Sequence, residues 1–229
     1  FGYGFWGPNG HDGIWHIALS ESLKRGSLGN PVFSGSLLKN YHLGFDIFLA
    51  TLSKITTISI STLYFQVLPI IFSVSIGLLV YKFVHIWRKS KNEALWATLF
   101  VYFSCGLGFV ITFLRDGKFS GESMFWSQQS VSTLVNPPFA LSLIFILSGL
   151  IFLFKYLKDK NIKFYLLSVI TFGLLIQIKA YAAILILGGL FVASVYTFIK
   201  SRKLSFFKVF LGASFLNFLL FILYKSDGV

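Results

Sequence analysis

Residues 164–199, FYLLSVITFGLLIQIKAYAAILILGGLFVASVYTFI, form a long hydrophobic block interrupted only by Gln177 and Lys179. A hydrocarbon core about 30 Å thick is crossed by about 20 residues of α-helix, so this block is too long for one ordinary crossing. It reads as two short helices meeting at Lys179-Ala180-Tyr181. Backbone polar groups in lipid must be satisfied within the segment, which selects helices over open strands. The rest of the chain supports lipid as part of the solvent. Hydrophobic residues make up 55% of the sequence, with 28 Phe among 229 residues. The mean hydropathy is +0.77. A soluble domain of this length has too much surface per volume to hide that much apolar area. The expected fold class is therefore an all-α integral membrane protein.

Working outward from the block, four more runs have spanning length, near Leu63–Val84, Ala94–Leu114, Phe139–Leu157 and Phe206–Tyr224, about six crossings in all. Three basic clusters alternate with them. Lys82, Arg88, Lys89 and Lys91 follow the first span, and Lys155, Lys158, Lys160 and Lys163 follow the third. Lys200, Arg202, Lys203 and Lys208 separate the fifth and sixth. All three lie on one side, the cytoplasmic one, if basic residues mark it. Residues 1–62, the segment from Arg115 to Pro138 and the turn at Lys179 then lie outside. The net charge of +12 is accounted for by these clusters, and no nucleic-acid partner is expected.

Residues 40–62 are apolar but carry Asp46 and Lys54, which are costly to bury in hydrocarbon. They are expected to form a helix on the outer interface, polar face toward headgroups and water, with a true span as the alternative. The chain then reads as an outer-face region with juxtamembrane helices, 1–62, joined to a polytopic region, 63–229, within one membrane domain. Cys105 alone gives no disulfide framework, and both ends look cut from a longer protein.

Polar groups concentrate outside. Residues 10–26, GHDGIWHIALSESLKRG, carry a helical pattern from about Asp12, with Gly26 as its stop. Asp12 stands where a helix cap would, and His16 follows one turn later on the same face. Such carboxylate and imidazole groups can act as general base or hold a divalent cation, but no strong metal spacing is present. The second outer segment offers Asp116, Glu122 and Gln128, and is long for a connection in a compact bundle. Lys179, with Tyr181 beside it, must face a polar cavity or reach outward, and suits contact with a phosphate.

In layout, GHDGIWHIALSESLKRG, then NPVFSGSLLKNYHLGFDIFLATLSKIT, then a span ending in basic residues, resembles the polytopic GT-C glycosyltransferases. The likeness is to bacterial members of the mannosyltransferase and aminoarabinose-transferase type. The resemblance aligns Asp12 with the family's first acid, Ile14–Arg25 with its juxtamembrane helix, and Asn40-Tyr41-His42 with its aromatic segment. It departs at Gly13, where a second acid is common, and at His42, where proline is common. It implies transfer of a sugar from a polyprenyl-phosphate donor to an acceptor glycan, lipid or protein, in the bacterial cytoplasmic membrane, at the outer face. It further implies Asp12 as the catalytic residue, assisted by Asp116, Glu122 or His16, with a divalent cation such as Mg or Mn in question. Lys179 and Tyr181 would bind the donor phosphate, and Tyr41, His42 and Gln128 would belong to the acceptor or interface loops. A transporter or lipid flippase with its site at the Lys179 break is the alternative.

Overall fold

The computed structural model describes residues 11–33, 35–36, 38, 41–104, 108–118 and 136–223. Among these all the regular structure is helical, with no strand. Glu122 and Gln128 lie outside the described residues.

Two short helices lead the chain: α1, Asp12–Lys24, and α2, Gly44–Thr56. α1 stops where the sequence provides for it. Gly26, at φ +82°, donates to Leu23 O and Ser27 donates to Ser22 O, the paired bonds of a glycine-terminated helix. Its first residue differs from expectation: His11 takes the cap position, and Asp12 lies inside the first turn without a capping bond. There its charge still opposes the helix dipole favourably.

α3, Ile60–Arg88, is the longest helix and includes one π-helical turn at Leu63–Val67. α6 is Pro137–Asp159, α8 is Ala180–Ser201 and α9 is Ser205–Leu223. These four are long and apolar enough to cross a membrane. The remaining expected crossings differ. Ala94–Leu114 is divided between α4, Lys91–Phe103, and α5, Gly108–Asp116, because Ser104 is extended and ends α4. At 13 and nine residues, each is shorter than the hydrocarbon core requires. The helix before Lys179, α7, runs from Ile162 to Ile178 and falls slightly short of a full crossing.

α3 and α6 run in the same direction: their N-terminal halves share one apolar cluster and their C-terminal halves meet at the 5.6 Å Phe83–Phe154 ring pair. Each of α3, α6 and α8 ends at a basic residue in the left-handed conformation, Lys89, Lys160 and Arg202. That conformation costs a non-glycine residue about 1 kcal/mol, and a cation beside the last carbonyls offsets it. The basic clusters read from the sequence are therefore also the stop signals of three helices. Nearby rings lie under several of these charges, Arg88 on Trp87, Lys160 on Tyr156 and Arg202 on Phe198.

Two apolar clusters form the core. One joins α2, α3 and the first half of α6 around Phe45, Leu49, Tyr64 and Phe72. The other joins α6, α7, α8 and α9 around Leu153, Phe172, Leu175 and Val209.

Candidate functional site

The site forms where α1, α2, the N-terminal end of α3 and the break between α7 and α8 meet. α1 lies alongside α2 and in the same direction, as two long-range contacts require. His16 Nδ1 is 2.8 Å from Asp46 Oδ1, and Lys24 Nζ donates to Ser53 Oγ at 2.9 Å. Ser20 Oγ adds a 3.3 Å bond to Asp46 Oδ1.

Asp46 corrects the sequence reading. Instead of facing headgroups on a polar outer side, it is wholly buried, as is His16 but for 3% of its surface. The apolar faces of Phe45 and Leu49 turn the same side of α2 inward and carry Asp46 with them. Burial pushes the Asp46 carboxyl above its ordinary range, opposed by the His16 and Ser20 bonds. Its Oδ2 has no hydrogen-bond partner among the described residues, and neither has the buried hydroxyl of Tyr64, which stands on the π-helical turn of α3.

Above this pair lies an aromatic group. Tyr41 and His42 stack at 4.5 Å, and Trp15 meets Tyr41 edge-on at 5.8 Å. Burial, then the Asp46 charge, raise the Tyr41 phenol above its usual range, so it remains protonated. His42 is pushed down to about 4, by burial first and then by Lys179 and His16. It is therefore neutral near pH 7, and its Nε2 is buried without a partner among the described residues.

Lys179 closes the site from the far end of the chain. It has extended backbone at φ −151°, ψ 112°, between the last turn of α7 and the first of α8. The adjoining Gln177 fixes this break. Its side chain accepts from Leu43 N at 3.2 Å and donates to Leu220 O at 3.1 Å. Gly44 makes the approach feasible, since a Cβ there would lie 2.7 Å from Gln177 O. The start of α2 is thus locked to the residues just before Lys179. The half-buried Lys179 ammonium lies within electrostatic reach of both Asp12 and Asp46. None of the ion pairs among the described residues includes it.

The chain thus brings Asp12, His16, Tyr41, His42 and Lys179 together across 167 residues of sequence. Asp12 is exposed, and its charge also reaches Tyr41 and Tyr64. Tyr181 is adjacent but exposed, its ring 6.4 Å from Phe139. Asp116 does not join the group: it is exposed at the end of α5, held below the usual carboxylate range by Arg115 at 2.8 Å. Sequence reasoning singled out His16 but missed its partner Asp46, and it missed the Gln177 clamp altogether. The available signal was that both interrupt apolar helices at a cost that demands partners.

Beside the break, Phe48, Leu141, Phe145, Leu174 and Ile178 line an apolar groove of about 190 Å³, with Gly44 and Gln177 at its polar edge. Among the described residues no three His, Cys, Asp or Glu side chains cluster to hold a metal ion. Asp46 already engages His16, which leaves Asp12 as the acid open to solvent. No family model, curated protein or solved structure matches the chain.

Proposed function

We propose that this protein is a membrane glycosyltransferase that moves a sugar from a polyprenyl-phosphate donor to an acceptor hydroxyl at the non-cytoplasmic face. The observation that carries the reading is that Asp12 and His42 each lie within electrostatic reach of Lys179, at the helix break beside an apolar groove. An acid and a cation so placed match the two charges that such a transfer develops.

Asp12 accepts the proton of the acceptor hydroxyl as its oxygen bonds to the anomeric carbon of the sugar. The bond from that carbon to the donor phosphate oxygen breaks, and the electron pair leaves with polyprenyl phosphate. Lys179 neutralises the departing phosphate, a fixed charge aimed at the anion that forms. Neutral His42 supplies a hydrogen-bond donor from the same side when its proton is on Nε2. The backbone N–H groups opening α8 add to the positive potential, since the N-cap Lys179 gives them no side-chain bond. Ile178, the chain neighbour of Lys179, is one of the residues lining the groove, which suits an isoprenoid chain with its phosphate at the lysine. The described residues assemble no group of three or more His, Cys, Asp or Glu that could hold a cation. Asp116 is given no role in the step.

Binding of undecaprenyl phosphate to the full-length protein in nanodiscs tests the reading. Lys179→Met is expected to weaken it about tenfold or more, the scale of a lost charge-assisted contact. Equal binding by Lys179→Met and wild type would remove Lys179 from the donor site. The helix break at Lys179 also favours a second reading, a transporter or flippase. Movement of lipid phosphate across a vesicle without sugar transfer would select it.

A further inference from the structure

The transfer step leaves a costly polar feature of the described residues without a task. Asp46 is wholly buried, one oxygen bonded to His16 and Ser20 and the other without a partner among the described residues. The Tyr64 hydroxyl, 1% exposed, is in the same condition. Adhesion between α1 and α2 alone would be served by apolar side chains of similar volume, which strand no buried polar atom. What distinguishes the pair is where it stands. His16 lies one turn after Asp12 on α1. Asp46 lies in the first turn of α2, directly after Tyr41, His42 and the Leu43–Gln177 hydrogen bond. The bonds from His16 and Ser20 to Asp46 therefore join the helix that carries the acid to the segment that adjoins the cation, and the shorter of them, from His16, is the one nearer Asp12. The remaining polar tie between the helices among the described residues, Lys24 to Ser53, sits at the far end of α1 and leaves its first turn unrestrained.

We propose that Asp46 is a positioning residue, acting through His16 to hold Asp12 against the Lys179–His42 side of the site. Its effect on turnover rests on the transfer reading above; its effect on the placement of α1 does not. The tie is directional, because the bond to Nδ1 fixes the imidazole plane and with it the rotation of α1 about its own axis.

The test uses the full-length protein in nanodiscs, with Cys105 replaced and spin labels at the exposed positions Ile14 and Ile47. The wild type gives one narrow label-to-label distance. His16→Asn, which presents an amide N–H where Nδ1–H stood, and Asp46→Asn, which keeps an acceptor, retain it. His16→Ala and Asp46→Ala broaden it. Sugar transfer from a polyprenyl-phosphate hexose falls about a hundredfold in the two alanine variants, the effect of an ångström-scale misplacement. The two asparagine variants recover most of it. Affinity for undecaprenyl phosphate stays unchanged throughout, because Lys179 and His42 are untouched. A narrow distance retained in Asp46→Ala overturns the proposal, as does His16→Asn behaving like His16→Ala. If the wild type transfers no sugar, the transfer reading fails and the distance alone decides the positioning claim.

Discussion

At the residue scale, His42 and Asp46 respond to pH in opposite directions. His42 has a folded pKa of about 4 against an ordinary value of 6.5. As pH falls through that window the unfolded chain takes up a proton that the folded one refuses, so stability is lost. Asp46 is raised, and the folded state gains relative stability as pH falls through its pKa. His42→Gln is therefore expected to flatten the loss of thermal stability between about pH 6.5 and pH 4, where wild type weakens. Thermal unfolding of both proteins in the same detergent across that window checks it. Removing one member of the buried pair is more severe. His16→Ala leaves Asp46 with Ser20 as its remaining partner and costs about 1–3 kcal/mol of stability, measurable by chemical unfolding. Lys179 was legible in the sequence because a lysine between two apolar half-helices has few places to go. The His16–Asp46 bond was not, because its partners stand 30 residues apart and no periodicity links them. Each was visible as an expense; only packing reveals that the two expenses meet.

At the scale of elements, the clamp between the start of α2 and the end of α7 organises the site. Gly44→Ala would drive a methyl group into the backbone of Gln177, at an overpacking cost of about 1–3 kcal/mol. It should also weaken the Leu43 to Gln177 bond and displace Lys179, so lipid-phosphate affinity should fall together with thermal stability. Unchanged values for both would show that the approach of α2 to α7 is not tight. The break at Lys179 was readable as a boundary between two apolar runs. The interruption at Ser104 was not. The run Ala94–Leu114 is continuous in hydropathy, and a window of spanning length averages over Ser104, Gly106 and Gly108. α2 shows the converse limit. Its apolar stripe predicted a helix, but the side on which Asp46 falls depends on α1, which no local pattern supplies.

At the scale of the whole molecule, the N-terminal ends of α3, α6 and α8 gather near the site, while their C-terminal ends carry Lys89, Lys160 and Arg202. This polarity follows from two independent rules: cations favour helix C-termini, and basic residues favour the cytoplasmic side of a membrane. Single cysteines at the three basic positions, in a chain with Cys105 replaced, should resist an impermeant maleimide added outside intact cells. A cysteine at Arg25 should react. Labelling of any basic position from outside would invert the arrangement and put the site on the cytoplasmic face.

The most direct test of the central claim is sugar transfer by the full-length Asp12→Asn protein, assayed with a polyprenyl-phosphate-linked hexose in nanodiscs. Asp12 is exposed and carries no capping bond, so the substitution should leave folding and undecaprenyl-phosphate affinity intact. The account predicts that transfer falls by about 10²–10⁴, the contribution of a positioned general base. Wild-type turnover in a folded, lipid-binding Asp12→Asn protein would contradict it.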